Sequence, residues 1–330
     1  MVDIAVSEPI LVHAHAKKLH HMGRGDARFH AVTLAAAILV LLLFIGVMIS
    51  LTHGAWLSIK TFGFGFLVTE LWNPVTQRFG ALAPIFGTFA TSMLAMIVAV
   101  PVGIGIAIFL TELCPQWLKR PIGIAIELLA GIPSIIYGIW GLFIFAPWFQ
   151  QTVQPWLVDA FGNVPFLSTI FAGPPYGIGI FTASLILSIM VLPFIASVTR
   201  DVFQTVPIQL KESAYALGCT TSEVVWNVVL PYARTGVVGG AMLALGRALG
   251  ETMAVTFVIG NAQSIGTSLF SPGTTISSAI ANEFSEAVGD VYLSALIELG
   301  LILFFITFVV LAIAQIMLYQ LDHRAGGKAR

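Results

Sequence analysis

Six apolar runs, each long enough to cross a lipid bilayer, dominate this sequence. They lie at about 31–51, 82–110, 122–148, 176–199, 236–260 and 293–321. A membrane-spanning helix needs about 20 apolar residues, and a helix satisfies its own backbone hydrogen bonds where no water is available. Charged residues make up only 9% of the chain, whereas a soluble domain carries about 25%. We therefore predict an all-α membrane protein with six transmembrane helices.

The distribution of basic residues predicts the orientation of these helices. If the N-terminus is inside, twelve Lys and Arg residues fall in cytoplasmic segments, and only Lys60 and Arg78 fall in external loops. Basic residues favour the cytoplasmic side of a membrane, so both termini are expected to be cytoplasmic. Residues 1–29 then form an N-terminal tail, and residues 30–330 form the transmembrane domain. Histidines in the tail fit no metal-ligand spacing, so no metal site is predicted.

The longest cytoplasmic loop between two spans covers about residues 200–235. Gly218 is expected to break it sharply, because glycine enters the left-handed backbone region at little cost. Ser222 is expected to cap a second short helix that runs to about Val229, and Pro231 to end the pattern. Such a helix–glycine–helix element could move the attached spans as rigid bodies. The alternative is an ordinary amphipathic loop that rests on lipid headgroups.

Two opposite charges lie deep in the fifth apolar run. Glu251 follows Arg247 by four residues, a spacing at which helical side chains can pair. An ionisable residue at such depth marks the bundle interior or a functional site. The two could form a structural ion pair. We favour an anion site or gate, because a guanidinium offers a planar fork of donors that suits carboxylate and phosphate alike.

Two hydroxyl residues are weaker candidates for the same pathway. Residues 131–134 break the third apolar run near its middle, and irregular backbone at that depth is tolerated only against protein or a cavity. Ser134 could therefore donate to a passing anion, although neighbouring helices could equally fill the kink. Thr88 in the second run could act similarly, or it could bond its own helix backbone and nothing else.

The sequence contains no Walker A phosphate-binding loop, since Gly-Lys occurs only at 327–328 and without the required context. The chain is therefore expected not to bind ATP by that route. No histidine falls deep within a predicted span, which disfavours a membrane-embedded hydrolase. An ATP-independent secondary transporter is a further alternative, but such proteins usually contain repeats with paired broken helices, and no repeat is visible.

Three strings resemble those of permease subunits of ATP-binding-cassette importers. Glu212-Ser213-Ala214, Gly218 and Leu230-Pro231 stand at the spacing of the cytoplasmic signature of this family. Residues 247–255 resemble the fifth-span motif of its phosphate-specific branch, and residues 130–138 resemble the third-span motif. The resemblance is greatest to permeases of the PstC type. It implies a type I importer permease fold and ATP-driven import of phosphate across the bacterial inner membrane. By the same resemblance, this chain is expected to be a pore subunit without a cofactor of its own and not an enzyme.

The resemblance also implies partners and residue roles. A PstA-type sister permease would complete the pore, two PstB-type subunits would bind ATP and Mg²⁺, and a periplasmic phosphate-binding protein would deliver the substrate. Contact with membrane lipid is also expected, and contact with nucleic acid is not. The ATPase-coupling loop would use Glu212, Ala214, Gly218, Leu230 and Pro231, and the substrate pathway or gate would use Arg247, Glu251, Ser134 and Thr88. Another oxyanion, molybdate or sulfate, stays open as the substrate.

Overall fold

The computed structural model describes residues 9–326 except 163 and 166, with side chains from residue 26 to residue 320. The described residues are mostly helical and contain no β-strand, only two isolated bridges between Asn73 and Arg78 and between Gly260 and Gly273. The predicted all-α class is therefore confirmed.

The α-helices are, in chain order, α1 (Pro9–Phe62), α2 (Gly65–Val68), α3 (Leu82–Ile108), α4 (Gln116–Ala130), α5 (Ser134–Trp140), α6 (Ala146–Trp148), α7 (Gln154–Phe161), α8 (Leu167–Ile170), α9 (Ile180–Gln204), α10 (Ile208–Ala216), α11 (Thr221–Val224), α12 (Leu230–Leu249), α13 (Met253–Thr256), α14 (Ile276–Glu283) and α15 (Asp290–Gly326). The described part also contains π-helical turns at Phe109–Leu113, Gly141–Phe145, Phe149–Val153 and Val225–Val229. Several of these turns continue one α-helix into the next without a loop.

Within the described residues, five helical stretches are long and apolar enough to cross a membrane. These are Asp26–Phe62, Leu82–Leu113, Ile180–Gln204, Thr221–Leu249 and Asp290–Gln320. A sixth span results if the bent pair Gln116–Ala130 and Ser134–Phe161 is counted as one. Together they form a multi-pass membrane protein, as the six apolar runs predict.

The chain divides into two units between His53 and Gly54. In the first unit, α1 begins at Pro9, so the predicted tail over residues 1–29 is helical from that point. Residues 1–8, and the side chains of the tail histidines before residue 26, lie outside the described part. From Phe29 to Val47 the apolar side chains of α1 are largely exposed, as suits a helix in contact with lipid.

The core of the second unit forms where α3 packs along α9. Ala95 and Ala99 of α3 lie in one buried cluster with Ile186 and Ile195 of α9. The two backbones approach closely because α3 presents small residues, which is typical of helix packing in membranes. A Cβ atom on Gly103 would lie only 2.7 Å from Ile195. Residues of α12, α13 and α5 complete the cluster.

The break predicted in the third apolar run is present, and there the chain turns through 88° between α4 and the helix that starts at Ser134. Pro133 has no N–H to give to the carbonyl of Leu129, its partner in a regular helix. The Tyr137 hydroxyl donates to that carbonyl instead, at 2.9 Å. The carbonyl also receives a longer bond of 3.3 Å from the N–H of Ile132. The side chain of Tyr137 therefore holds the bend.

The fifth span ends earlier than its apolar run. The run predicts a helix to about residue 260, whereas α12 ends at Leu249 with Gly250 as its cap. Glycine is a poor helix former and a common helix terminator. The apolar residues beyond it belong to the short helix α13 and to an irregular segment, and Val255 and Ile259 enter the core cluster. Apolar composition alone could not separate a buried irregular segment from a longer span.

Two glycines of α3 give a matched test of this packing. A Cβ atom on Gly87 would lie 1.9 Å from the carbonyl oxygen of Thr274, whereas one on Gly105 would meet nothing within 4 Å. We expect Gly87→Ala to destabilise the permease by about 1–3 kcal/mol, the usual effect of overpacking. We expect Gly105→Ala to be neutral or slightly stabilising. Equal melting temperatures for the two purified variants would contradict the close approach.

Candidate functional site

The coupling loop covers residues 200–235, and the helix in its first half ends just before Gly218. The helix α10 stops at Ala216, and Gly218 follows with a φ of 87°. Its N–H donates to the carbonyl of Tyr215, and the N–H of Cys219 donates to that of Ala214. These two bonds form a Schellman motif. The left-handed break predicted at Gly218 is therefore confirmed.

The second half of the coupling loop differs from the prediction. Thr220, not Ser222, caps α11 and forms a reciprocal capping box with Glu223. The helix does not end near Val229 but continues through a π-helical turn into α12, where the N–H of Leu230 donates to the carbonyl of Val225. Pro231 stands in the first turn of α12 and does not end the pattern. Proline has no N–H to donate, and it directly follows the π-helical turn, where the continuous helix already departs from regular hydrogen bonding. The loop is thus joined rigidly to the fifth span.

The coupling loop has a buried side and an exposed side. Ala214 is 9% exposed and lies in an apolar cluster with Ala107 of α3 and Phe203 of α9, against which Leu230 also packs. Glu212 is exposed. Ala214 therefore allows the loop to approach its own spans closely.

The exposed side of the coupling loop is partly apolar. Leu217 is 85% exposed and Trp226 is 67% exposed, and Ile208 at the start of α10 is also exposed. Clusters of exposed apolar side chains commonly mark a site of protein or membrane contact. Together with Glu212 they give this loop the character of a contact surface.

Ion pairs join the coupling loop to neighbouring helices, and no local pattern in the sequence indicated them. Lys211 of α10 lies 2.5 Å from Glu112, in the π-helical turn that ends the second span. Arg200 at the end of α9 pairs with Glu127 of α4 at 2.8 Å and with Asp201 at 3.0 Å. The first pair joins residues 99 positions apart, so only the folded chain brings it together.

Arg247 and Glu251 do not pair with each other in the structure. Since α12 ends at Leu249, Glu251 is no longer one helical turn above Arg247. The Glu251 carboxylate instead accepts a hydrogen bond of 3.3 Å from the N–H of Ala254, in the first turn of α13. Arg247 is exposed on the surface of this chain and makes no ion pair or hydrogen bond through its guanidinium to any described residue. Its fork of donors is open to another partner.

Of the two hydroxyl candidates, only Ser134 has a hydroxyl that is open. Thr88 is buried, and its hydroxyl donates to the carbonyl of Pro84 and accepts from the N–H of Ile276. It therefore ties α3 to the start of α14. Ser134 is the first residue of α5, is half-buried, and makes no side-chain hydrogen bond within the described residues.

A cluster of hydroxyl side chains at the start of α14 supports the break after α12, and the sequence analysis missed it. The Ser277 hydroxyl donates to the carbonyl of Glu251 at 2.7 Å. Thr275 caps α14 in a reciprocal box with Ser278. The sequence signal was present, since threonine and serine are preferred helix caps.

Comparison with known proteins gives one consistent result. A family model described as the binding-protein-dependent transport system inner membrane component matches residues 99–326. The chain is 67% identical to the phosphate transport system permease protein PstC of Mesorhizobium japonicum, over 91% of this chain and 92% of that protein. It is 61% identical to the protein of the same name from Pasteurella multocida, over 91% and 93%.

A solved structure shares the fold at lower identity. A bacterial ABC transporter involved in the import of the acidic polysaccharide alginate aligns with a TM-score of 0.59 and 18% identity. The alignment covers 92% of this chain and 99% of that one. The likeness shows the ABC permease fold.

The unpaired state of Arg247 predicts a stability difference between two arginines. We expect Arg247→Gln to leave the melting temperature of the purified permease unchanged, because no ion pair is lost. We expect Arg200→Gln to lower the free energy of unfolding by about 1 kcal/mol, since it removes the partner of Glu127 and Asp201. A clear loss of stability in Arg247→Gln would show that Arg247 has a structural role within this chain.

Proposed function

The chain belongs to the family of PstC phosphate transport system permeases, within the binding-protein-dependent inner membrane components, and on that premise we propose that it forms half of the translocation pathway of an ATP-driven phosphate importer. The observation that carries the mechanism is that the guanidinium of Arg247 has no ion pair with a described residue, while the carboxylate of Glu251 accepts a hydrogen bond from the N–H of Ala254. A guanidinium binds a phosphate through two parallel hydrogen bonds, which are strengthened by opposite charge.

Glu251 would act as the gate of this pathway. Its carboxylate has two possible partners, the N–H of Ala254, with which it is bonded at 3.3 Å, and the guanidinium of Arg247. With the first partner, Arg247 is open to an anion. With the second partner, Arg247 is neutralised and the pathway rejects the anion. Rotation of the Glu251 side chain would change its partner while its backbone stays bonded, and the Ser134 hydroxyl is a further donor for the anion.

The energy would come from partner subunits. We propose that two PstB-type subunits bind ATP and Mg²⁺, that a PstA-type sister permease completes the pore, and that a periplasmic phosphate-binding protein delivers the substrate. The complex would lie in the bacterial inner membrane with both termini of this chain in the cytoplasm. The exposed Glu212, Leu217 and Trp226 of the coupling loop support its role as the ATPase contact, and the continuous helix from Thr221 to Leu249 would carry its movement to Arg247.

Another oxyanion is the main alternative substrate. Sulfate and molybdate also present several acceptor oxygens, so a guanidinium fork by itself does not separate them from phosphate. The names of the relatives that are 67% and 61% identical favour phosphate.

Uptake by the reconstituted complex tests the proposal. The chain, with its sister permease, ATPase and binding protein, is placed in liposomes, and uptake of labelled phosphate is measured with and without ATP, and with excess sulfate or molybdate. We expect uptake that requires ATP and that the competitors leave intact. Uptake without ATP would contradict the coupling-loop assignment. If a competitor inhibits phosphate uptake and is itself transported, that oxyanion and not phosphate would be the substrate.

Substitution of Arg247 tests the anion site in the same liposomes. We expect Arg247→Gln to lower phosphate uptake roughly 10- to 100-fold, the loss expected when charged hydrogen bonds are removed. Arg247→Lys should retain part of the activity, because it keeps the charge but not the fork. Arg78→Gln is the matched control, since Arg78 is an exposed arginine outside the long spans. Unchanged uptake in an assembled Arg247→Gln complex would overturn the site.

A further inference from the structure

A buried ion pair joins the coupling loop to the end of the second span. The Nζ atom of Lys211 lies 2.5 Å from Oε1 of Glu112, and the two side chains are only 17% and 7% exposed. Attraction between opposite charges is strong where water is excluded. Removing one partner would leave the other charge buried and uncompensated, which is strongly unfavourable. Each side chain therefore fixes the position of the other.

The segment that carries Glu112 is a π-helical turn. In Phe109–Leu113 the hydrogen bonds span five residues, and the N–H of Cys114 closes the turn on the carbonyl of Phe109 at 2.7 Å. Such turns are rare within helices and are frequent at functional sites. The ion pair is thus attached to the second span at its least regular turn.

Packing between the π-helical turn and the second half of the coupling loop is incomplete. Apolar contact joins the loop to the second span nearby, where Ala214 and Ala107 share one cluster. Next to the turn there is instead a cavity of about 190 Å³, lined by Ile108, Leu113, Thr221, Ser222, Val225 and Trp226. Apolar packing therefore does not fix Leu113 against the second half of the loop, whereas the ion pair fixes the turn to α10 in the first half.

Neighbouring charges do not substitute for the pair. Lys119 donates to the carbonyl of Thr111 at 3.3 Å and forms no ion pair with Glu112 in the described structure. Glu212, next to Lys211 in sequence, is exposed. Lys211 is thus the charge of α10 that reaches inward, and Glu212 is the one that faces outward.

We propose that the Glu112–Lys211 ion pair is a positioning element that transmits movement of the coupling loop to the second span. The proposal rests on the proposed function, because it requires an ATPase that moves α10. When α10 moves, the pair carries the π-helical turn and α3 with it. Because α3 packs along α9, the movement reaches the core of the permease. Without the pair, only the apolar contact between Ala214 and Ala107 joins α10 to α3, so α3 follows α10 incompletely and less phosphate is transported for each ATP hydrolysed.

The coupling ratio, phosphate transported per ATP hydrolysed, measures this role directly. We expect Glu112→Gln and Lys211→Met each to lower the ratio at least about fivefold in the reconstituted complex, the lower range of typical coupling effects, while assembly and ATP hydrolysis persist. The exchanged double variant, Glu112→Lys with Lys211→Glu, re-forms the pair and should recover much of the ratio. Arg120→Gln is the matched control, because Arg120 is exposed near the start of α4, outside the coupling loop, and makes no ion pair with a described residue.

The outcomes separate a positioning role from a merely stabilising one. A lower melting temperature with an unchanged coupling ratio in both single variants would overturn the proposal. If the single variants do not assemble, the double variant decides. A double variant that assembles with a restored ratio supports the proposal, and one that is uncoupled or does not assemble contradicts it. Absence of ATP-dependent phosphate uptake by the unaltered complex would count against the proposed function and not against the ion pair.

Discussion

Backbone hydrogen bonding inside the membrane is the constraint on which the rest of this structure depends. A helix meets the constraint by itself, but each break in a helix leaves N–H and C=O groups that must find partners within the protein. At the break after α4, the Tyr137 hydroxyl bonds the carbonyl of Leu129. At the break after α12, the Glu251 carboxylate bonds the N–H of Ala254, and Ser277 bonds the carbonyl of Glu251. Side chains thus stabilise both irregular segments.

The same constraint explains why Arg247 is open. A continuous fifth span would place Glu251 one turn above Arg247, and the two charges would neutralise each other. Because the helix ends at Leu249, the carboxylate serves the start of α13 instead. The cationic fork is then exposed on a chain that otherwise contains few charges. The broken helix and the proposed anion site are therefore two consequences of one feature, the helix end at Gly250.

Much of the fold could be predicted from the sequence, because apolar length and glycine and proline positions act locally. Five spans are present, or six if the bent pair is counted as one, together with the break before Ser134 and the left-handed Gly218. Errors arose where tertiary contacts decide the outcome. The apolar residues after Gly250 are buried by packing and not by a span, and Pro231 lies within a helix because a π-helical turn precedes it.

The sequence selects the residues of the candidate site, whose roles stay predictions, but it does not give their contacts. The depth of Arg247 in an apolar run was sufficient to select it. The partner of Glu251 was not predictable, because it depends on where one helix ends and the next begins. The Glu112–Lys211 pair could not be predicted either, because its members lie far apart in sequence and the residues around each of them form no recognisable motif. The bond of Thr88 to Ile276 in α14 likewise exists only in the folded chain.

Access to the surface around Arg247 is the most direct test of this account. Leu243 lies on α12 one turn before Arg247 and is 60% exposed, so Leu243→Cys reports on that face once Cys114 and Cys219 have been replaced. In the assembled complex we predict that a membrane-impermeant maleimide modifies this cysteine from one side of the membrane, and that trapping the ATPase with nucleotide changes the reactive side. Modification by a lipid-soluble maleimide alone, whatever the nucleotide, would show that the face of Arg247 contacts lipid and would contradict the account.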